Sequence, residues 1–249
     1  MISQIWIYSI LSVFFISLLS LVGIFSLSIR VEKLKKILIY LVSFSAGALF
    51  GDAFLHLLPE LSTNGLAIKH SFFILFGIIL FFSLEKVVFW RHCHMPITKS
   101  HIHSFAYMNL IGDVLHNFID GLIIAGSYLI SIPAGFATTI AVVLHEIPQE
   151  IGDFGILIHG GFTRTKAILL NFLTALTAVL GVFFALILNN FVENIEGYLI
   201  SLAVGGFLYI AGSDLIPELH KETKISISLL QILAFILGIC VMASLLFLE

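Results

Sequence analysis

Eight long apolar stretches dominate this chain, at roughly 5–29, 37–58, 70–90, 104–130, 133–159, 165–189, 198–216 and 225–248. A helix needs about 20 mostly apolar residues to cross a bilayer, so each stretch suffices for one crossing. The breaks between them, such as RVEKLKK, PELSTNG, HGGFTRTK and PELHKETK, are too short for a soluble domain. In hydrocarbon every backbone N–H and C=O must find a partner within the protein, and helices achieve this segment by segment. The stretches are too long for barrel strands. The expected fold is an all-α polytopic membrane protein, with eight transmembrane helices in a single transmembrane domain over residues 1–249. Of the residues, 59% are hydrophobic and only 11% charged, which excludes a disordered chain, a nucleic-acid binder and an ordinary cytosolic enzyme. The opening MISQIWIYSILSVFF lacks a basic start and a small-residue cleavage site, so it reads as a retained first helix.

The few charges orient the chain. Eleven of the twelve Lys and Arg residues fall at the breaks after spans 1, 3, 5 and 7, and only Lys69 falls on the other side. Basic loops stay in the cytoplasm, so both termini are expected outside it. The cell membrane is the default host.

Two segments match at an offset of 158 residues: SAGALFGDAFLHLLPEL (45–61) and AVGGFLYIAGSDLIPEL (203–219). The first lies in span 2 and the second in span 7, which run in opposite directions. The match predicts a 3+2+3 arrangement, an inverted repeat of spans 1–3 and 6–8 with spans 4–5 between them. Secondary transporters use such repeats and hold their sites near the midplane.

Spans 2, 4, 5 and 7 hold seven of the fifteen acids, and no Lys or Arg accompanies them there. Buried carboxylates without cationic partners must be protonated, hydrated or neutralised by a visiting cation. Spans 4 and 5 concentrate them. In GDVLHNFIDG, Asp113, His116 and Asp120 share one helix face, and His116 and Asp120 are one turn apart, so both can reach one ion. Asn117 sits about 100° round the helix and can serve a neighbouring ion. In HEIPQEIGDF, the pairs His145/Gln149 and Glu146/Glu150 are each one turn apart, and Asp153 follows. Pro148 has no N–H, so a kink is expected there and the carbonyl of Leu144 loses its usual partner beside the His-Glu pair. A ligand set of imidazole, carboxylate and amide oxygen without thiolate suits Zn²⁺, Fe²⁺, Mn²⁺ or Cd²⁺.

These residues resemble the ZIP-type divalent metal transporter family, over essentially all eight spans. The likeness rests on GDAFLHLLPE in span 2, GDVLHNFIDG in span 4, HEIPQEIGDF in span 5 and FLYIAGSDLIPEL in span 7. Spans 4 and 5 are similar to the subgroup whose fifth helix reads HEIPHELGDF. The resemblance implies import of a divalent metal into the cytoplasm, zinc foremost and iron or manganese next, with the metal as substrate and no organic cofactor. It also implies a homodimer in the lipid bilayer and a binuclear centre between spans 4 and 5. By position, His116 and Asp120 would hold one metal with help from Gln149, and Asn117, His145 and Glu146 the second. Position 149 is Gln here where the subgroup has His, and an amide oxygen is a weaker zinc ligand than imidazole.

Glu150, Asp153 and Asp113 are candidates for an additional metal or for supporting the ligands. Asp52, His56 and Asp214 are candidates for the ion route or a proton relay. The short loop 91–103 carries His92, His94, His101 and His103, which could capture the ion on the cytoplasmic side. The alternative is an intramembrane zinc-dependent hydrolase, because HEIPQ begins like HExxH. That motif needs a second His where Gln149 stands, so the chain is not expected to be an enzyme.

Overall fold

The computed structural model describes residues 2–22, 31–63, 67–90 and 104–248, and among these all regular structure is helical. Eight helical rods follow the eight apolar stretches. They are α1 (Ile2–Leu19), α2 (Val31–Asp52 and on through Leu58–Thr63), α3 (Ile68–Trp90), α4 (Ser104–Ile130) and α5 (Ile132–His159). Then come α6 (Arg164–Ala175 and Thr177–Leu188), α7 (Ile195–Tyr209 and on through Ile216–Leu219) and α8 (Ile225–Leu245). Seven of the rods are long and apolar enough to cross a membrane by length and composition. The eighth, α5, is the one whose second half is diluted by His145, Glu146, Gln149, Glu150 and Asp153.

The helices pack as a repeat. α2 lies against α8 and α7 against α3; α5 lies against α2 and α4 against α7; α4 lies against α6 and α5 against α1. Exchanging 1 with 6, 2 with 7, 3 with 8 and 4 with 5 maps each of these contacts onto another. Both outer crossings are glycine contacts, as expected where close backbone packing holds membrane helices together. A methyl group on Gly47 would sit 2.0 Å from the carbonyl oxygen of Phe235 in α8, and one on Gly205 would sit 2.1 Å from that of Ile74 in α3.

The matched segments also deform alike. Each helix widens into a π-helical turn, Ala53–Leu57 in α2 and Ile210–Leu215 in α7, and the offset of 158 superposes them. The residue after each turn donates five residues back, Leu58 N–H to Ala53 O and Ile216 N–H to Ala211 O. Pro59 and Pro217 follow directly. A proline ring crowds the carbonyl four residues before it, and a widened turn relieves that crowding.

Two clefts mark the ends of the bundle. One is lined by the last turns of α3 and the first turns of α4, among others, and the second by Glu60, Lys69, His70, Leu129 and Glu196. α2 contributes Val42 to the first and Glu60 to the second, whereas α7 contributes Gly197 to the second and Leu215 to the first. The two repeat helices therefore run oppositely. Outside, Phe72, Phe76 and Ile79 of α3 and Leu229, Leu233 and Leu237 of α8 are exposed, which is the surface that lipid would cover.

α6 is broken at Leu176, which the sequence reading did not anticipate. Val179 N–H bonds to Leu176 O instead of continuing the ladder, and Ser17 of α1 donates to the released carbonyl of Ala175 at 2.9 Å. A serine from a neighbouring helix thus repairs the break.

Candidate metal centre

α4 and α5 each bring one imidazole and one carboxylate to a single point. His116 Nε2 lies 3.3 Å from Glu146 Oε1, 3.4 Å from His145 Nε2 and 3.7 Å from Asp120 Oδ2. His145 Nε2 lies 3.2 Å from Asp120 Oδ2 and 3.4 Å from Glu146 Oε1. All four donor atoms fall within 4.8 Å of one another. A tetrahedral zinc with bonds of about 2.0–2.1 Å sets its donors about 3.3 Å apart, so five of the six edges already approximate that figure. The one-turn spacing of His116 and Asp120 is what lets α4 supply two donors. On α5 the adjacent His145 and Glu146 both reach the point.

The surroundings orient the ligands. His145 Nδ1–H donates to Ala141 O at 3.2 Å, which leaves Nε2 and its lone pair facing the cluster. Phe207 stands edge-on to the His145 ring, and Phe81 meets the His116 ring at 90°. Asp120, His145 and Glu146 are buried to within 2% of complete. Among the described residues, the oxygens of Asp120 and Glu146 have no hydrogen-bond donor beyond the two imidazoles themselves. Buried carboxylates left in that condition are costly unless a cation joins them.

His116 and His145 form the inner end of a cavity of about 330 Å³, which runs past Gln149, Asp113 and Asp153 to Glu85 and Asn109. It opens at the end of the bundle where α3 finishes and α4 begins. Toward the opposite end, every residue of α4 from 121 to 128 is buried. That is about 12 Å of sealed helix between the cluster and the second cleft.

The other expected residues fall around this centre. Gln149 lines the cavity. Asn117 turns its amide nitrogen to Asp113, at 2.7 Å from Oδ1 and 3.1 Å from the carbonyl oxygen, and its own Oδ1 is buried without a hydrogen-bond donor among the described residues. Asp153 accepts from Asn109 Nδ2 at 3.0 Å. Glu150 is buried and accepts from Asn171 of α6, a partner on another helix that no spacing along the chain points to. In α2, His56 Nε2 lies 2.9 Å from Met242 O, and Asp52 is buried one residue before the π turn. Asp214 lies on the π turn of α7. His92, His94, His101 and His103 lie outside the described residues.

Pro148 does not end its helix. α5 continues as one helix through it, and the unpaired carbonyl of Leu144 is not left to water: Ser45 Oγ of α2 lies 2.5 Å from it. Ser45 is a functional candidate that sequence reasoning missed. Serine is common in membrane helices, and its acceptor is a backbone atom far along the chain.

Comparison with known proteins agrees with this picture. The family described as "ZIP Zinc transporter" matches residues 3–104 and 92–246. Zinc transporter ZIP13 of Danio rerio is 36% identical over 85% of this chain and 76% of its own length. Zinc transporter ZIP13 of Homo sapiens is 31% identical over 81% of this chain and 69% of its own length. Zinc transporter zipt-7.1 of Caenorhabditis briggsae is 29% identical over 96% of this chain and 78% of its own length. With a family match over nearly the whole length and an eight-rod bundle built around four convergent metal-type ligands, this multi-pass membrane protein belongs to the ZIP zinc transporter family and serves metal-ion transport, with zinc the foremost cargo.

Proposed function

We propose that the chain imports a divalent metal, zinc before iron, manganese or cadmium, into the cytoplasm through His116, Asp120, His145 and Glu146. The observation that carries this is the set of donor separations of 3.2–3.7 Å at the inner end of the cavity. Two imidazoles and two carboxylates neutralise a divalent charge, and mixed nitrogen and oxygen ligation is labile enough for an ion to leave again. The ion itself is the cargo.

A second ion would take Asn117 Oδ1, whose amide nitrogen is already committed to Asp113, with the remaining oxygens of Asp120 and Glu146 as bridges. Gln149, on the cavity wall, would assist as the ion arrives or leaves. Asp113, Glu150 and Asp153 would support these ligands and add negative potential along the cavity.

By the excess of Lys and Arg at the breaks after spans 1, 3, 5 and 7, the cavity opens to the cytoplasm and both termini lie outside it. The open cavity would then be the exit, and the sealed stretch 121–128 the barrier on the outer side. Asp52, His56 and Asp214 would serve the ion route across that barrier. His92, His94, His101 and His103 would meet the departing ion. A homodimer in the cell membrane is the proposed assembly and location.

Reconstituted vesicles test this. Uptake of ⁶⁵Zn²⁺ should be saturable and competed more strongly by unlabelled zinc than by Mn²⁺ or Fe²⁺. His116→Ala and Glu146→Ala should each abolish it in protein that still inserts. Uptake that survives both substitutions sinks the proposal.

A further inference from the structure

We infer that Ser45 is a positioning residue for transport: its hydroxyl replaces the N–H that Pro148 lacks and so holds the ion-bearing turn of α5 against α2. In an uninterrupted α-helix, the carbonyl of Leu144 would accept from the N–H of residue 148. Pro148 has no N–H to give. The residues immediately after that carbonyl are His145 and Glu146, half of the ligand quartet. An unsatisfied carbonyl there would have to find a partner inside the membrane or draw in water, and the turn carrying both ligands would shift as it did so.

Ser45 Oγ sits 2.5 Å from Leu144 O and 2.8 Å from Leu41 O, one turn back in its own helix. One hydroxyl proton therefore faces two carbonyls. The bond to Leu41 is the ordinary back-bond of a helical serine. The bond to Leu144 is the only use of that proton that ties two helices together. Because Leu41 O stands by, Ser45 itself loses little when α5 draws away, and the unpaired group is then Leu144 O alone. The arrangement is a latch with a cheap side and an expensive side. It biases α5 toward α2 in the state whose cavity opens at the α3–α4 end, yet lets go without stranding its own hydroxyl.

Other hydroxyls also donate across helices, Thr177 of α6 to Val114 O of α4 among them, but Leu144 O is the carbonyl that has lost its N–H to a proline beside the ligands. Ser45 is 1% exposed and belongs to the repeat segment of α2. Ser17 serves the broken carbonyl of Ala175 in the same chemical manner, but with no ligand in the adjoining residues.

This inference rests on the proposal that the α4–α5 quartet holds the ion. The test is a double-mutant cycle on the Zn²⁺ dissociation constant of the purified full chain, read by competition with a fluorescent zinc chelator. Ser45→Ala should weaken zinc binding about tenfold, the low end for loss of a group that orients a metal ligand. In the Pro148→Ala background the new N–H takes Leu144 O, so Ser45→Ala should change affinity less than about twofold. An equal loss in both backgrounds overturns the inference, because a merely structural serine would not sense residue 148. An independent pair uses the isosteres Ser45→Thr and Ser45→Val. Threonine can donate and should keep at least half of the wild-type affinity, whereas valine should lose as much as alanine; equal behaviour of the two overturns the inference without needing Pro148→Ala. His116→Ala separates the two readings. Loss of zinc in His116→Ala without loss in Ser45→Ala overturns the latch alone. Unchanged binding in His116→Ala overturns the quartet and the latch with it.

Discussion

α5 against α2 and α4 against α7 are the same contact seen twice, once in each half of the repeat. Each pair presents one histidine and one acid to the shared point, and each partner helix carries a glycine crossing and a π turn at matching positions. The difference lies in the backbone. α5 carries Pro148 within the ligand turn, whereas α4 carries no proline anywhere in Ser104–Ile130. Accordingly α2 brings a hydroxyl at position 45, and α7 brings a fully buried alanine, Ala203, at the position 158 residues later. The repeat supplies a symmetric frame, and single residues make the two sides of the site unlike. Both are continuous helices that receive a hydroxyl from a neighbour, Thr177 of α6 on Val114 O of α4 and Ser45 of α2 on Leu144 O of α5, but only on α5 does that hydroxyl replace a backbone N–H lost to a proline.

The largest effect tests whether the two helices are equal partners. Each of His116→Ala, Asp120→Ala, His145→Ala and Glu146→Ala should weaken zinc binding by at least about a hundredfold, beyond what loss of an outer-shell partner costs. Loss confined to the α5 pair would break the equality and make α4 a bystander. Acid sharpens the same point. Both imidazoles must be free of protons to bind, so affinity falls as pH falls. In the wild type the slope of log affinity against pH should approach two protons per ion in the acid range, and in His116→Ala or His145→Ala it should fall to about one. Isothermal titration across pH reads it directly.

The next effect concerns what holds each helix from behind. A methyl on Gly121 of α4 would meet Ala178 O at 2.0 Å, and one on Gly181 of α6 would meet Phe118 O at 2.0 Å. Gly121→Ala should therefore destabilise the bundle by on the order of 3 kcal/mol, as overpacking against a fixed backbone does. α5 offers the contrast: a methyl on Gly155 would have nothing within 4 Å. Gly155→Ala should keep the protein folded and gain roughly 0.5–1 kcal/mol from reduced chain entropy. Thermal unfolding in one detergent compares them. Equal losses would mean that both helices are clamped alike.

Much of this was legible before any coordinates. Apolar length marked out the eight rods, seven of which are long and apolar enough to cross a bilayer. The ligands stood out because ionisable residues are expensive in an apolar run, so Asp120, His145 and Glu146 announce themselves. The repeat was readable from 45–61 and 203–219 because identical prolines and glycines recur at one spacing. What stayed hidden depends on partners in space. Asn171 binds Glu150 across 21 residues and Ser45 binds Leu144 across 99, and neither leaves a periodic signal. The break in α6 at Leu176 has no proline or glycine to mark it. Pro148 told of a lost hydrogen bond but not which neighbour would replace it. The grouping of four donors into one tetrahedron-sized cluster also needed the crossing of α4 and α5, which spacing along either helix cannot give.

The smallest expected effect is the sharpest test of the asymmetry. Ala203→Ser would place on α7 the hydroxyl that α2 carries at Ser45. On α4 no carbonyl has lost its helical partner to a proline, so the new hydroxyl has no bare acceptor to seize and should fall back on the carbonyl four residues earlier in its own helix, as helical serines do. Zinc affinity and uptake should then change by less than about twofold, in keeping with a buried hydroxyl that satisfies itself at little net gain or loss. A large change in either would show that α4 also reads a hydroxyl from its repeat partner. The latch at Ser45 would then be a property of the repeat, and the missing N–H of Pro148 would not be its cause.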